Sequence, residues 1–348
     1  VFSLNSQNMT EEAYINVILP LRLSWEPCYS VPEVITAKEG RQVRTGDRVR
    51  VTFARKEYIG VVSRTAVSPA TDPSRILPIK ELEDGLERIS PQEISFWRQL
   101  ADYYLCSAGE VYKAAYPSMK TTVELKKRRT GSGNADNEVS GNDIPELSPA
   151  QAAASDKISE AFAGGKVALL KGVTGSGKTF TVANVIEKGR NVLFLVPEIA
   201  LSRQLEERMA RVFGGRLRTY HSARTVAGRR DIATFVRDGK YIVLGTRSAL
   251  FLPHNNLGLI IVDEEQDSSY KQESPAPRYN GRDAAVMLAA IHHANVVMGS
   301  ATPSMESLYN CSTGKYNLVT LDERYFAAGD SDLEIIDTIA ERKKNGMV

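Results

Sequence analysis

The chain has 348 residues, of which 42% are hydrophobic and 25% charged, and its formal net charge is +2. These proportions are ordinary for a folded protein and exclude a chain that is disordered throughout. At about 150 residues per domain, the length predicts two domains. Because the net charge is nearly zero, binding to nucleic acid would have to depend on local clusters of basic side chains.

The cysteines lie far apart in the sequence, at Cys28, Cys106 and Cys311. No CxxC pair is present, which argues against a structural zinc site of the usual spacing. A small, odd number of cysteines is typical of a reducing compartment, so we expect a cytoplasmic protein. The longest apolar run, 257–262, is far too short to cross a membrane, and we expect neither a membrane partner nor a secretory signal.

Changes in composition predict how the chain is divided. Residues 118–147 are polar and rich in Gly, Ser and Asn, which predicts a linker. We expect a β-rich domain over 11–117 and an α/β domain over 148–322. The two ends, 1–10 and 323–348, are interpreted as a poorly ordered leader and as the start of a connection to a further lobe.

In chain order, the first domain begins with short strands. Period-2 apolar patterns predict strands at 14–19, 42–43, 48–53 and 59–63, with turns at 45–47 and 55–57. The period then changes, and the spacing of Ile94, Trp97 and Leu100 predicts a helix over 91–106. A shorter helix is predicted over 109–116.

The second domain alternates between strand and helix patterns. Continuous apolar runs predict buried strands at 167–170, 192–196, 241–245, 259–262 and 296–298. Helical spacing predicts helices at 148–162, 178–188, 200–213, 225–237 and 282–293. Alternation of this kind predicts an α/β fold, with a parallel sheet between layers of helices.

The most specific motif is GVTGSGKT at 172–179, which fits the pattern GxxxxGK[ST] directly after a predicted strand. Backbone N–H groups in such a loop suit the phosphates of ATP, and Lys178 would neutralise their charge. The Thr179 hydroxyl would bind Mg²⁺. The predicted nucleotide site therefore consists of Gly172, Thr174, Gly175, Ser176, Gly177, Lys178 and Thr179. The alternative is a structural Gly-rich turn.

A second motif, Asp263-Glu264-Glu265-Gln266, follows the predicted strand 259–262. Carboxylates at the carboxyl end of a parallel strand would lie near the phosphate loop. Asp263 would bind Mg²⁺, and Glu264 would orient and deprotonate the attacking water. Taken alone, the motif is equally typical of an acidic turn at a strand end.

The third motif, Gly299 to Pro303, follows another apolar strand. Its Ser300 and Thr302 can hydrogen-bond both the carboxylates and a neighbouring domain. Together with Gln266, these residues are predicted to couple nucleotide chemistry to movement. A generic tight turn is the alternative, and the order of all three motifs favours the functional interpretation.

This order of motifs resembles the first, RecA-like motor lobe of superfamily 2, DEAH-like helicases. More narrowly, 195–201, 245–251, 263–272 and 277–283 resemble the PriA family of replication-restart helicases. The resemblance implies ATP and Mg²⁺ as cofactors and 3′-to-5′ DNA unwinding during primosome assembly and the restart of stalled forks. It also implies forked and single-stranded DNA as ligands, single-strand-binding protein and other primosome proteins as partners, and a monomer.

Several site residues follow from the resemblance. Gln151 occupies the position at which such helicases recognise adenine, and Arg247 is expected to contact a DNA phosphate. The resemblance also implies that the N-terminal domain captures the 3′ end of a nascent strand. The residues themselves add a basic segment at 41–56, where six Arg and Lys side chains are offset only by Asp47, which predicts phosphate contacts from Arg48 and Arg50. Trp25, Tyr29 and Phe53 are candidates to stack on a base. The alternatives are an exposed helix position for Gln151, solvated arginines, and a tyrosine packed in the core.

The sequence departs from the family pattern at several points. Pro27-Cys28-Tyr29 keeps only the Tyr of the usual end-binding segment, and Gln266 stands where many relatives have His. The segment 117–147 is too short for a winged-helix domain, and the chain stops before the second lobe, its arginine and its zinc-binding cysteines. We therefore expect zinc only in the complete family protein and little ATPase activity from these residues alone.

Two other interpretations stay open at this point. One is another superfamily 2 DNA translocase, such as the motor subunit of a restriction enzyme. The other is a non-catalytic adaptor that binds forked DNA and keeps a vestigial nucleotide site. The run Asp267 to Gln272 favours the replication-restart family over the first, and the intact Lys178, Thr179, Asp263 and Glu264 argue against the second.

Overall fold

The computed structural model describes residues 13–117, 146–173, 176–178, 181, 190–198, 200, 203–222 and 224–322. The predicted leader, nearly all of the predicted linker and of the helix over 178–188, and the predicted connection after 322 lie outside these residues. Within them, the α/β fold class is confirmed: an antiparallel sheet in the N-terminal part is followed by a larger parallel sheet with helices. No helix in the described part is long and apolar enough to cross a membrane.

The N-terminal sheet has five strands in the order β2-β1-β4-β3-β5. Alternate side chains such as Val17, Val49 and Val51 point inward and are fully buried, which explains the period-2 pattern. The strands are β1 Ala13–Ile18, β2 Cys28–Val31, β3 Arg48–Phe53, β4 Lys56–Thr65 and β5 Glu81–Leu82. The prediction missed β2 and β5, and the strand predicted at 42–43 is wrong because those residues have no ladder partner.

The hairpin between β3 and β4 turns at Ala54 and Arg55, one residue before the predicted turn. Phe53 pairs with Lys56, so the loop has two residues. Both have positive φ angles, 48° at Ala54 and 64° at Arg55. This is the backbone of a type I′ turn, which usually carries Asn-Gly, and neither residue here signals it.

Three helices complete the N-terminal part: α1 Glu33–Glu39, α2 Pro91–Tyr103 and α3 Ala108–Ala115. Ser90 begins α2 as a capping box with Glu93, which satisfies backbone N–H groups at the helix start. Trp97 of α2 stacks on Tyr112 of α3 with ring centroids 5.3 Å apart. The helical spacing in the sequence predicted α2 and α3 but not α1.

The parallel sheet has seven strands in the order β12-β6-β11-β10-β7-β9-β8. These strands are β6 Val167–Gly172, β7 Asn191–Leu195, β8 Leu217–Tyr220, β9 Ile242–Gly245, β10 Leu257–Val262, β11 Asn295–Ser300 and β12 Tyr316–Leu321. The flanking helices are α4 Pro149–Ala163, α5 Arg203–Phe213, α6 Val226–Asp238, α7 Gly281–His292 and α8 Met305–Ser312. All five predicted strands are present, while β8, β12 and α8 were not assigned from the sequence.

The N-terminal helices share a hydrophobic core with the parallel sheet. Phe96 of α2 packs against Phe251 of the lobe with ring centroids 5.8 Å apart. Trp97 and Leu100 belong to the same buried cluster as Leu288 of α7. The domain boundaries stay a prediction, but 91–115 is joined to the lobe by packing as well as by sequence.

Candidate nucleotide and DNA sites

The three motifs lie at one edge of the parallel sheet because their strands are neighbours. Ser300 at the end of β11 pairs with Lys171 of β6, and Val262 at the end of β10 pairs with Met298 of β11. Adjacent strands are about 4.8 Å apart, so the ends of β6 and β10 are separated by roughly 10 Å. This spacing brings the phosphate loop, the acidic motif and the Ser-Ala-Thr segment to one cleft edge.

Lys178 lies inside the phosphate loop. Its Nζ donates a hydrogen bond to the carbonyl of Gly172 at 2.9 Å, and the residue is 9% exposed. A Cβ added to Gly172 would lie 2.7 Å from Ser176 Oγ, so the glycine allows the loop to close on itself. Ser176 and Gly177 are placed in the same loop, while Thr174, Gly175 and Thr179 lie outside the described residues.

Gln151 is buried beside the phosphate loop and not on an exposed helix face. Its Nε2 donates to the carbonyl of Ser176 at 3.0 Å, and its Oε1 accepts from the backbone N–H of Ser148 at 3.0 Å. The residue is 2% exposed. Adenine recognition by Gln151 stays a prediction, and it would require one of these hydrogen bonds to be exchanged.

The acidic motif forms a tight turn directly after β10. The backbone N–H of Asp263 donates to Leu195 O at 2.9 Å, and Asp263 Oδ1 accepts from the N–H of Glu264 at 3.1 Å. Glu264 has a φ of 46°, an uncommon left-handed conformation for a side chain of this size. A Cβ on Gly299 would lie 3.2 Å from Asp263 Oδ1, so the third motif leaves space for this carboxylate.

The predicted coupling residues are connected by hydrogen bonds. Gln266 Nε2 donates to Glu264 Oε2 at 2.8 Å, and Ser300 Oγ donates to Gln266 Oε1 at 2.6 Å. Ser300 Oγ in turn accepts from the N–H of Thr302 at 3.0 Å. The acidic and Ser-Ala-Thr motifs therefore touch through Gln266, which acts as a bridge by using both ends of its amide. Their role in coupling stays a prediction.

Glu265 was not assigned a role from the sequence, although the structure buries its side chain completely. Burial of Glu265 is compensated by the guanidinium of Arg282, with Nη1 3.2 Å from Oε2. Burial alone would lower the pKa of Arg282, but hydrogen bonds with Asp283 and Glu265 raise it overall. A carboxylate that follows two others in sequence carries no signal that distinguishes a buried position from an exposed one.

Arg247 lies between the lobe's loops and is only partly exposed. Its Nη1 donates to the carbonyl of Ser269, and its Nη2 is 3.8 Å from Glu198 Oε1. The guanidinium thus holds the segment after the acidic motif against the loop after β7. Contact with a DNA phosphate stays a prediction and would have to replace these partners.

Two arginines of the predicted basic segment 41–56 are paired with carboxylates, most of which come from another segment. Arg50 is 2.7 Å from Glu81 and 2.6 Å from Glu83, and Arg41 contacts both Asp47 at 2.6 Å and Asp84 at 3.4 Å. The sequence showed only Asp47 within 41–56, because β5 and its flanks are more than twenty residues away. The local excess of positive charge at 41–56 is therefore smaller than predicted.

Arg48 and Tyr29 are interior residues, which argues against the predicted direct DNA contacts. Arg48 is 5% exposed, with Cζ 4.3 Å above the ring of Tyr116. Tyr29 is 2% exposed, and its hydroxyl donates to Thr52 O at 3.1 Å. Both side chains fill the core next to their strands, as the alternative interpretation of Tyr29 anticipated.

An open pocket of about 470 Å³ lies at one end of the N-terminal sheet. Trp25 is 57% exposed beside it, with its ring centroid 6.2 Å from that of Phe53. Cys28, Ala54 and the cationic Arg75 also line the pocket. The lining also includes Glu26, whose carboxylate is 2.8 Å from Arg98. The site thus combines aromatic surface with one positive and one negative side chain. Within the described residues, no cluster of three His, Cys, Asp or Glu side chains that could hold a metal ion is present.

Two family models match separate parts of this chain. Residues 16–117 match the family model described as the 3′DNA-binding domain (3′BD) of PriA. Residues 144–305 match the model described as type III restriction enzyme, res subunit. The first match contains the N-terminal sheet from the middle of β1 onward, together with α2 and α3. The second contains the phosphate loop and the acidic motif.

Curated relatives match both parts together. A replication restart protein PriA from Rickettsia felis is 34% identical over 333 residues, which cover 94% of this chain and 48% of the relative. PriA from Treponema pallidum is 33% identical over 88% of this chain and 47% of the relative. PriA from Bacillus subtilis is 40% identical over 52% of this chain and 23% of the relative. The chain spans about half the length of the first of these relatives.

Proposed function

Since this chain belongs to the PriA family of replication restart proteins, we propose that it captures the 3′ end of DNA with its N-terminal part and binds ATP with its lobe. In the complete protein these parts would serve ATP-dependent 3′-to-5′ unwinding at stalled forks. The observation that carries the proposal is the meeting of three motifs at the ends of β6, β10 and β11. That placement is the one expected for a nucleotide site in a parallel α/β sheet.

The side chains suit phosphate binding and water activation. Lys178 now donates to the carbonyl of Gly172, and we propose that its ammonium turns to the phosphates when nucleotide binds. Glu264 accepts a hydrogen bond from Gln266, which holds its carboxylate in place to orient a water and accept its proton. Asp263 offers the oxygen ligands that Mg²⁺ prefers, and with Thr179 it would hold the ion that offsets phosphate charge.

We propose that the pocket beside Trp25 accepts the terminal nucleotide of a 3′ end. Its volume of about 470 Å³ lies within the range of ligand sites. Trp25 and Phe53 offer surface for a base to stack on, and Arg75 offers a positive charge for a phosphate. The family description of residues 16–117 supports DNA ends as the ligand.

The test measures binding of this chain to two forks that differ only in a free or a phosphate-blocked 3′ end. We expect tighter binding to the free end, and we expect Trp25→Ala to reduce the preference by about tenfold, the typical loss of one stacking contact. Lys178→Ala is the matched control, because it should abolish nucleotide binding and leave the preference unchanged. Equal binding to both forks with a steep salt dependence would refute end capture in favour of nonspecific phosphate contact.

ATP hydrolysis by these residues alone should be slow. In related phosphoryl-transfer enzymes an arginine supplied across a cleft raises the rate by about 10³–10⁵. Because the chain covers 48% of its Rickettsia felis relative, we propose that this arginine is contributed by the other half of the family protein. Vigorous DNA-stimulated turnover by the purified 348-residue chain would contradict this proposal.

Family membership also supports proposals on partners. We propose single-strand-binding protein and other primosome proteins as partners, a cytoplasmic location and a monomeric chain. Sedimentation of the chain alone tests the monomeric state, and sedimentation with purified single-strand-binding protein tests that partner. A stable dimer, or the absence of a faster complex, would overturn the corresponding proposal.

A further inference from the structure

Glu265 is held by four hydrogen bonds in a fully buried position. Its carboxylate accepts from the backbone N–H of Ser304 at 2.6 Å, from Ser304 Oγ at 2.9 Å, from Ser307 Oγ at 2.9 Å and from Arg282 Nη1 at 3.2 Å. Its own N–H donates to Gly299 O at 3.0 Å. The residue next to Glu264 is thus fastened both to the third motif and to the start of α8.

Arg282 extends this network to the start of α7. Its backbone N–H donates to the side chain of Asn280 at 2.9 Å, which caps the helix. The backbone N–H of Asn280 in turn donates to the hydroxyl of Tyr104 at 3.0 Å. Tyr104 directly follows α2, within the segment that matches the 3′DNA-binding domain. A continuous series of contacts therefore runs from that domain to the residue adjoining Glu264.

Two members of the series, Glu265 and Arg282, are buried. α2 shares the buried cluster of the lobe, and Arg282 is 8% exposed. A buried ion pair gains little net stability over apolar residues of similar size, and its best-supported use is to specify one arrangement. Because the links are hydrogen bonds of 2.6–3.2 Å, we expect a shift of α2 to change the position of the acidic turn.

We propose that Tyr104, Asn280, Arg282 and Glu265 form a link through which DNA bound to the N-terminal part and nucleotide bound to the lobe alter each other's affinity. Glu265 and Arg282 are positioning residues in this link, because they act through Glu264 and Gln266. The proposal rests on the proposed function, since both ligands must bind. Coupling between two sites is reciprocal and typically amounts to about 5- to 150-fold in affinity.

Tyr104→Phe is the mildest test of the link. It keeps the ring packed against the core and removes only the oxygen that accepts from Asn280. Tyr103→Phe is the matched control, because it removes a hydroxyl from the neighbouring tyrosine, which is 63% exposed. The probes are a fluorescent ADP analogue with Mg²⁺ and a single-stranded oligonucleotide with a free 3′ end.

The measurement is the dissociation constant of the analogue for the 348-residue chain, with and without saturating oligonucleotide. We expect DNA to change it by about fivefold or more in the unaltered chain and in Tyr103→Phe. In Tyr104→Phe we expect a change below twofold, with the constants for each ligand alone kept. The link would be overturned if the coupling survived in Tyr104→Phe. It would also be overturned if both ligands bound to the unaltered chain without any coupling. Failure of either ligand to bind would instead contradict the proposed function.

A second variant tests the buried end. Glu265→Gln keeps an acceptor for Ser304 but removes the charge that pairs with Arg282. In a double-mutant cycle with Tyr104→Phe, we expect the combined loss of coupling to equal that of either single change, since both interrupt one series. Losses that simply multiply would show independent effects and would contradict a single link.

Discussion

The phosphate loop depends on the missing side chain of Gly172. We expect Gly172→Ala to weaken nucleotide binding because its Cβ would lie 2.7 Å from Ser176 Oγ and 3.0 Å from Lys178 Cγ. Both neighbours are side chains of the loop itself, and the nearest backbone atom, Leu321 O, would be 3.2 Å away. The added methyl group therefore displaces the loop more easily than the sheet, and the phosphate-binding arrangement is the part that is disturbed.

The size of the effect follows from the cost of overpacking. Inserting one methyl group into a filled site costs about 1–3 kcal/mol. If that cost falls on the nucleotide-binding arrangement, the dissociation constant of a fluorescent ADP analogue rises by about 5- to 150-fold. Fluorescence titration measures it, and thermal denaturation reports whether the fold has been weakened as well.

Gly215→Ala is the control for this prediction, because a Cβ there would meet no atom within 4 Å. It should leave both the dissociation constant and the melting temperature unchanged. Unaltered nucleotide affinity in a folded Gly172→Ala chain would refute the reasoning, since it would show that nucleotide binds without this close approach of the loop.

Three further predictions concern turn geometry, pH and charge. Replacing Ala54-Arg55 by Asn-Gly should raise the free energy of unfolding by about 1 kcal/mol in urea denaturation, because both residues have positive φ; an unchanged midpoint would contradict this. Burial lowers the pKa of His254 to about 3. The unfolded chain then binds the extra proton below about pH 6.5, so stability should fall by about 2 kcal/mol between pH 7.5 and pH 5, with a shallower fall in His254→Gln. Arg75→Ala should reduce the slope of log DNA affinity against log salt concentration by about one. Arg50→Ala should change the DNA affinity less than twofold, because the charge of Arg50 is matched by carboxylates.

The phosphate loop and the acidic turn could be predicted because each is contiguous and follows a buried strand. The loop motif is eight consecutive residues, 172–179, and the apolar run before Asp263 shows where the acidic motif must lie. Parallel strands place their carboxyl ends together, so the common edge follows from the alternation of strands and helices. The contact of Gln266 with Ser300 follows from the same topology.

The buried residues beside these motifs could not be predicted, because their partners are distant in sequence. Glu265 is buried against Arg282, 17 positions away, and against Ser304 and Ser307, about 40 positions away, whereas its neighbour Glu264 bonds to Gln266. Arg48 could not be assigned correctly either, because a basic residue on a strand usually predicts contact with solvent. The ring of Tyr116 covers it, and that contact cannot be read from the sequence. Charge pattern reports which side chains can bind phosphate, and only packing shows which of them can reach it.

Composition predicts a boundary at 118–147, but it does not show which elements pack together. α2 comes before that boundary in sequence, yet its apolar face lies in the core of the lobe beside α7. Its last turn also leads to Tyr104, whose hydroxyl accepts from the first residue before α7. The predicted linker therefore separates two segments of sequence, while the packed unit around the predicted nucleotide site includes helices from both segments. For that reason, a variant in α2 is a sharper test of communication between DNA and nucleotide than any change within the linker.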